Sequence, residues 1–588
     1  MRNVVSALSV AGLRALIRLR RYRELGLLAL ATGVGCLAGV VVTTMSWITN
    51  FAHRLLYGLP SGERLSGQET LSHPALALIP IAGGIVLALI TWLLRRRFAR
   101  PPVDPIEANA LHGGRMSISE SLLLAVQTMI SSGFGASVGL EAGYTQASSA
   151  FASRIAEAMR LRRRDIRTLV GCAAAGAISA AFDAPITGAF YGFELIIGTY
   201  SVALVAPVLA ASLAASLTAG WLGAVQTPIE VGPVPVLTAA DLTPFILLGL
   251  IGGLLAVAIM QLVTGVERAF RWAKIPNWAR PAIGGALVGA LALMTPHVLS
   301  SGHGALHVDL QSDAGWQMLM VLFVLKVLAS AVSLGSGFRG GLFFASLYLG
   351  ALFGKAYALL LVDAGILPHL SPLLASVVGM AAMAVGVVGG PMTMAFLALE
   401  TTSDLSITGA VLAASVVSAV VVRETFGYSF STWRLHLRGE TIRSAHDIGR
   451  MRSLTVSRMM RSDVRTVSAT LTLDAFRAIF PLGSTQRAIA VDAKGAYAGI
   501  VVVADAYAAG TETRGEIAPL LRHRDAMLTP SMNVSEAAGL FDSAKAEELA
   551  VVDSRQTRRV IGLLTEQYLM RRYAEELDKS RRDLMGEG

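Results

Sequence analysis

Apolar residues fill the first three quarters of the chain in long blocks, separated by short glycine-rich or arginine-rich stretches. Blocks at 26–48, 74–94, 244–263 and 318–334 approach the length at which an apolar helix spans a bilayer. Other blocks are shorter, as in tilted or broken helices enclosed by protein. From residue 456 the pattern changes. Strand-like runs at 487–491, 499–503, 549–552 and 560–564 alternate with amphipathic helical stretches. The pattern predicts a polytopic α-helical membrane domain over 25–440, a linker over 441–455, two α/β modules at 456–510 and 511–575, and a charged tail at 576–588.

Composition agrees with that pattern. The chain has 588 residues, 54% of them hydrophobic and only 15% charged, with a mean hydropathy of +0.58. That is too apolar for an ordinary soluble enzyme. The net charge of +10 comes largely from arginines at block ends, at 14–23, 95–100 and 160–167. Such clusters read as cytoplasmic flanks of membrane segments, and they explain the basic balance with no nucleic-acid partner. The first 24 residues are arginine-rich and lack the long apolar core and cleavage site of a removable signal. They read as an amphipathic helix on the cytoplasmic face of the cell membrane. Cys36 and Cys172 lie in glycine-rich apolar stretches without metal-ligand spacing, and read as small packing residues.

Two glycine-rich breaks interrupt the apolar blocks. The first, 131–146 (SSGFGASVGLEAGYTQ), holds one carboxylate, Glu141. The second, 335–341 (GSGFRGG), occupies a corresponding place later in the chain. A lone ionisable group at membrane depth is costly and marks a functional site by default. A pair of glycine-interrupted segments in matching halves points to an ion site near the midplane.

The halves also match by repetition. Ala184-Pro185-Ile186-Thr187-Gly188-Ala189-Phe190 leads to Glu194, and Gly390-Pro391-Met392-Thr393-Met394-Ala395-Phe396 leads to Glu400. Pro, Thr, Phe and Glu recur at the same spacing, with the proline suited to a first helical turn. Ser132-Gly133-Phe134 likewise matches Ser336-Gly337-Phe338. A second, shorter repeat lies in the C-terminal part. There 473–480 (LDAFRAIF) matches 534–541 (VSEAAGLF), and Ala490-Val491-Asp492 matches Val551-Val552-Asp553. Each such unit is too small to bury much core alone, so the two should pack as one cytosolic domain.

An anion crossing lipid needs replacements for its hydration shell, but not a fixed countercharge that would trap it. Helix N-termini supply free N–H donors and the positive end of the dipole. The segments 139–143 and 340–343 have that composition, and the amides of Leu342 and Phe343 are candidate anion ligands. Glu141 is then a candidate gate. Ionised, it competes with the anion for the amides; protonated or swung away, it vacates the site, so its protonation should matter near neutral pH. The symmetric recurrence of Glu194 and Glu400 points to helix-end bonding, and Glu194 is also a candidate for a proton path. Gly135-Ala136-Ser137-Val138-Gly139 fits the G-x-S-x-G hydrolase pattern. That pattern has mechanical meaning only at a strand-to-helix turn of an α/β sheet.

These features together resemble the CLC family of chloride channels and chloride/proton antiporters, followed by a cytosolic CBS-domain pair. Gly139-Leu140-Glu141-Ala142-Gly143 resembles the family's G-R-E-G-P segment, and 333–347 (SLGSGFRGGLFFASL) resembles L-x-x-G-S-G-x-x-G-G-I-F-x-P-S-L. Tyr428, in Gly427-Tyr428-Ser429, looks like the tyrosine whose hydroxyl touches the central anion. The resemblance implies an inverted-topology fold, a homodimer with one pathway per subunit, and chloride as the anion. Several departures bear on mechanism. Pro101 falls where the family's anion-binding serine stands, a change that accompanies nitrate preference. Leu140 and Gly143 replace Arg and Pro around the gate. The antiporters' internal proton glutamate aligns with Leu195, which leaves channel and antiporter both open. Tyr428 argues against the fluoride-exporting branch.

CBS modules often bind adenine nucleotides, and no other cofactor is implied. Asp505 matches the acid that commonly holds ribose, and Thr565 the common phosphate-side hydroxyl. Val502 and Tyr568 replace the complementary residues, so each half-motif is incomplete. Two other function classes compete with anion transport. An intramembrane hydrolase would use Ser137. A cation transporter would need several intramembrane carboxylates or carbonyl-rich breaks, where this chain offers mainly Glu141.

Overall fold

The computed structural model describes residues 23–60, 62–94, 102–223, 237, 242–438, 454–508 and 515–585. The chain divides into two compact units, Met1–Asp447 and Ile448–Gly588.

The first unit is helical. Its first half contains α1 (Arg23–Tyr57), α2 (Ile79–Leu94), α3 (Pro105–Leu111), α4 (Ile118–Gly133), α5 (Glu141–Ala158), α6 (Arg163–Phe182), α7 (Pro185–Tyr191) and α8 (Val202–Trp221). Its second half contains α9 (Leu242–Trp272), α10 (Arg280–Met294), α11 (His303–Gln311), α12 (Trp316–Ser336), α13 (Phe343–Asp363), α14 (Pro372–Val388), α15 (Pro391–Thr402) and α16 (Leu405–Thr425). The halves correspond element by element, from a long opening helix through a short third one to a long closing one. A further helix, α17 (Phe430–Leu437), follows. Eight helices of the described residues are long and apolar enough to cross a membrane. The fold is a polytopic α-helical membrane protein with an inverted-topology repeat.

Small residues set the packing distances, as membrane helices require. Gly350 and Gly354 of α13 lie against Gly379 and Ala375 of α14, and a Cβ on Gly354 would stand 2.0 Å from the Ala375 carbonyl oxygen. The helices therefore meet backbone to backbone. Around them α9, α12 and α16 close the largest apolar cluster, which includes Phe245, Met260, Phe344 and Tyr348.

The repeated Pro–Thr–Phe–Glu stretches meet each other. Phe190 stacks on Phe396 with ring centroids 4.1 Å apart. The Glu400 carboxylate accepts from the amides of Ile186 (2.7 Å) and Thr187 (2.8 Å) and from the Thr187 hydroxyl (2.6 Å). Glu194 accepts from the amides of Met392 (3.0 Å) and Thr393 (2.8 Å) and from the Thr393 hydroxyl (2.6 Å). Each glutamate caps the first turn of the other half's helix, where free N–H groups and the dipole favour a carboxylate. This gives Glu194 a structural task, with both of its oxygens accepting from the first turn of α15. Glu194 also sits in a π-helical turn, Gly192–Ile197, that the sequence pattern did not signal.

The second unit is α/β. It comprises α18 (Val456–Met459), β1 (Thr466–Ser468), α19 (Leu473–Ile479), β2 (Arg487–Val491), β3 (Tyr497–Val502), α20 (Val503–Ala508), α21 (Val534–Ala544), β4 (Glu548–Val552), β5 (Val560–Thr565) and α22 (Glu566–Met585). One sheet has the order β1-β2-β3 with β1 parallel to β2; the other pairs β4 and β5 antiparallel. The repeated helix–strand–strand–helix unit is thus α19-β2-β3-α20 and α21-β4-β5-α22. One boundary differs from the sequence reading. Leu454, Val456 and Met459 pack with Leu528, Val534, Phe541 and Leu549 of the second module, and Arg461 pairs backbone to backbone with Leu563. The opening residues of this unit therefore complete the second module's core, not the first's.

Candidate functional site

The two glycine-rich breaks are joined. Gly139 donates to the Gly341 carbonyl at 2.9 Å and Gly341 donates to the Gly139 carbonyl at 3.1 Å, an antiparallel bridge between the halves. The bridge requires close approach: a Cβ on Gly340 would lie 2.6 Å from the Val138 Cβ and 2.8 Å from the Gly139 carbonyl oxygen. It sets the first turns of α5 and α13 beside each other.

Glu141 opens α5 and is 4% exposed. Its carboxylate lies over Gly139, whose missing side chain makes the room: a Cβ there would stand 1.9 Å from Oε2. That Oε2 is buried and has no hydrogen-bond partner within the protein. An unpartnered buried carboxylate oxygen is costly, and such groups mark functional sites.

A cavity of about 130 Å³ lies in front of this carboxylate. Glu141 and Ala142 line it from the start of α5, Leu342 and Phe343 from the start of α13, and Phe430 and Ser431 from the start of α17. Three helix starts thus aim free N–H groups and positive dipole ends at one space. Asp104 and Pro105 line the cavity from a fourth start, that of α3, but there Asp104 accepts from the Ile106 amide at 2.9 Å and caps the helix itself. Arg339, Arg434 and Arg438 complete the lining with positive charge. The arrangement can attract and partly dehydrate a small anion, and the Glu141 carboxylate stands beside the same donors.

Residues 83–423 match the family described as voltage gated chloride channel. The chain belongs to that family. A ClcB-like protein of Ralstonia nicotianae is 27% identical over 412 residues, covering 68% of this chain and 94% of that protein. The voltage-gated ClC-type chloride channel ClcB of Salmonella typhimurium is 26% identical over 409 residues, covering 67% of this chain and 95% of its own. Among solved structures, a slow cyanobacterial Cl⁻/H⁺ antiporter shares the fold with a TM-score of 0.61 at 22% identity, over 70% of this chain and 97% of its own. A eukaryotic CLC transporter aligns with a TM-score of 0.59 at 16% identity over 92% of this chain and 97% of its own. That span exceeds the first unit alone, so the likeness of fold runs into the C-terminal α/β unit.

Within this CLC chain the structure brings some of the anticipated residues together and separates others. Glu141, Leu342 and Phe343 share the cavity. Pro101 lies outside the described residues, while its neighbour Pro102 lines the cavity. Tyr428 lies just before α17. Its ring stacks on His436 at 4.6 Å, and its hydroxyl is 3.3 Å from the His436 Nδ1. Ser429 caps α17, whose residues Phe430, Ser431, Arg434 and Leu435 line the cavity. Ser137 is fully buried; its hydroxyl meets Ser330 at 3.0 Å and its amide donates to Ser333 at 2.9 Å. Both are serines, neither of them a general base. In the C-terminal unit Asp505 forms an ion pair with Arg522 at 2.6 Å, and the Thr565 hydroxyl accepts from the Tyr568 amide at 3.3 Å.

Sequence reasoning missed the lining arginines. Arg339 lies in plain view inside the GSGFRGG break, whereas Arg434 and Arg438 lie near the end of the membrane domain with no motif around them.

Proposed function

We propose that this chain moves a small inorganic anion, chloride first, across the cell membrane through the cavity in front of Glu141, and that the Glu141 carboxylate is the gate. The observation that carries the reading is the buried, unbonded Glu141 oxygen at the start of α5, facing a cavity where the first turns of α13 and α17 converge. The amides of Leu342 and Phe343 bind the anion, and the three arginines concentrate anions at the cavity. Family membership supports the anion as substrate. The decisive experiment is anion-dependent flux from proteoliposomes of the purified full chain with simultaneous pH recording. Absence of anion flux from a folded protein overturns the proposal.

Coupling to protons is the second reading. A carboxylate with an unbonded buried oxygen is suited to take up a proton, which favours antiport. Against it stand Leu195 at the antiporters' glutamate position and the engagement of Glu194 as a cap. We favour passive conduction. Nitrate is the alternative substrate, supported by Pro101 and by guanidinium forks that match a planar oxyanion.

The functional form is a homodimer in the bilayer with one pathway per subunit. The exposed apolar faces of α8 (Leu213, Leu217) and α16 (Val416, Val420) support it, since both helices flank the paired α7 and α15. The arginines at 160–167 support a cytoplasmic N-terminus and CBS pair under the positive-inside rule. The CBS pair serves regulation. Adenine nucleotide binding at Asp505 and Thr565 would require Asp505 to leave Arg522.

A further inference from the structure

Asp104 lines the same cavity as Glu141, from the residue that precedes α3. A fixed acid in a cavity built for an anion repels the ion it should receive, so its presence there needs a cause. Helix capping supplies part of one. The Asp104 Oδ1 accepts from the Ile106 amide at 2.9 Å, and the Asp104 amide donates to the Glu107 carboxylate at 3.4 Å, a reciprocal capping box. Capping, however, requires an oxygen and not a charge. Asparagine and serine do it as well as aspartate. The charge itself is left without a purpose by the cap.

The neighbouring charges give it one. Arg339, Arg434 and Arg438 share the cavity wall, and they crowd one another: Arg434 is repelled by Arg339 and Arg438, and Arg339 by Arg438. Two carboxylates act against that crowding. Glu267, on α9, attracts Arg339 and Arg434 from outside the lining, whereas Asp104 attracts Arg434 and Arg438 from within it. Glu107, the other half of the capping box, repels Asp104, and Tyr191 lies in the field of both Asp104 and Glu141. Three guanidiniums without an opposing charge would hold a small anion tightly, and a dianion more tightly still. A conducting path must bind an ion strongly enough to strip its water and weakly enough to let it leave.

We propose that Asp104 is a specificity-determining residue of the anion path: its charge offsets Arg434 and Arg438 at the cavity wall, so that the cavity releases a monovalent anion and does not retain a multivalent one. The inference rests on the transport reading above, but its effect on anion affinity is measurable without flux. The cap matters because it fixes the place of the charge. Glu141 has an unbonded oxygen and is the proposed gate; Asp104 is tied to the first turn of α3 and acts as a constant field. Coulomb energy scales with the charge of the ion, so Asp104 weakens the hold on a dianion by twice the free energy it removes from a monoanion. An effect of roughly tenfold on chloride is then roughly a hundredfold on sulfate.

The test compares the purified full chain with Asp104→Asn, Asp104→Ser and Asp104→Glu at about pH 8, well above the ordinary range of an aspartate. Chloride affinity is read by calorimetry, sulfate affinity by its displacement of bound chloride, and chloride flux from proteoliposomes over a series of chloride concentrations. Asn and Ser keep an oxygen for the Ile106 amide and remove the charge, whereas Glu keeps the charge. Asp104→Asn and Asp104→Ser should both bind chloride roughly tenfold and sulfate roughly a hundredfold more tightly. Their half-saturating chloride concentration and their maximal flux should both fall, while Asp104→Glu stays near the wild type. A change in helix capping alone would not move the sulfate-to-chloride ratio. Folded Asn and Ser variants with the wild-type ratio overturn the role of Asp104, and persisting chloride flux then leaves the transport reading standing. Tighter binding of sulfate than of chloride by the wild type also overturns it, and that measurement needs no variant. Tightened binding in both variants, with no chloride flux from the folded wild type, supports the offset and overturns the transport reading.

Discussion

The Glu141 carboxylate rests where it does because position 139 has no side chain, and Gly139→Ala tests that dependence directly. The new Cβ would stand 1.9 Å from Oε2, 2.9 Å from Cδ and 3.1 Å from Oε1. The carboxylate must retreat by more than an ångström to reach an ordinary contact. What blocks the methyl group is the far end of a flexible side chain, not backbone, so the cost falls on the glutamate rotamer, about 0.5–1.5 kcal/mol. The bridge to Gly341 uses only backbone atoms of Gly139 and should survive. A bias of that size shifts the fraction of time the carboxylate occupies its resting place by roughly twofold to tenfold. Anion flux from proteoliposomes should rise by that factor, and its dependence on pH should flatten. Gly340→Ala is the contrasting control, because its Cβ meets the Gly139 carbonyl oxygen at 2.8 Å and should lower thermal stability instead. A folded Gly139→Ala protein with wild-type flux and pH profile would refute the placement of the gate.

Glu141→Gln, which imitates the protonated acid, should make flux nearly independent of pH and abolish any proton movement; unchanged coupling in the purified variant rules out the assignment. Glu400→Ala removes a carboxylate with three donors and leaves the amides of Ile186 and Thr187 unmatched. It should destabilise the membrane unit by about 2–4 kcal/mol, read as a lowered melting temperature, and Glu194→Ala should do the same by symmetry. Retained stability in both variants would show that the caps are dispensable. Pro101→Ser restores a hydroxyl and should raise the chloride-to-nitrate ratio in competition flux, while an unaltered ratio would place Pro101 away from the ion. Tyr428→Phe should leave anion affinity within about twofold, because the hydroxyl is directed to His436. A large loss of affinity by calorimetry would return that hydroxyl to the anion.

Much of the architecture was legible because the repeat repeats its contacts. Glu194 and Glu400 stand 199 and 213 residues from the threonines they cap, a separation that no local pattern reaches. Yet each motif carries both halves of the interaction, the glutamate and the Pro–x–Thr turn that receives it. Reading the motif twice was therefore enough to anticipate helix-end bonding. The same holds for the glycine-rich breaks. Gly139 and Gly341 bond to each other, so their shared composition announced a shared place.

Contacts that break the repeat were not legible in this way. The C-terminal unit takes Leu454, Val456 and Met459 into the core of the second module, an exchange invisible when the modules are cut in chain order. Arg64 and Thr49 reach a smaller pocket beside Leu140 from segments with no counterpart motif, and Arg434 and Arg438 reach the cavity from α17 and the residue after it, which have no counterpart in the first half. The site itself is the clearest case. α5 and α13 occupy equivalent places, but the first residue of one is Glu141 and of the other Phe343. Two equivalent carboxylates at these first turns would repel each other and the anion, whereas one carboxylate beside one aromatic side chain leaves the amides of α13 free for an ion. The symmetric scaffold brings two helix starts together, and the proposed division into gate and anion partner rests on the asymmetry of their first residues.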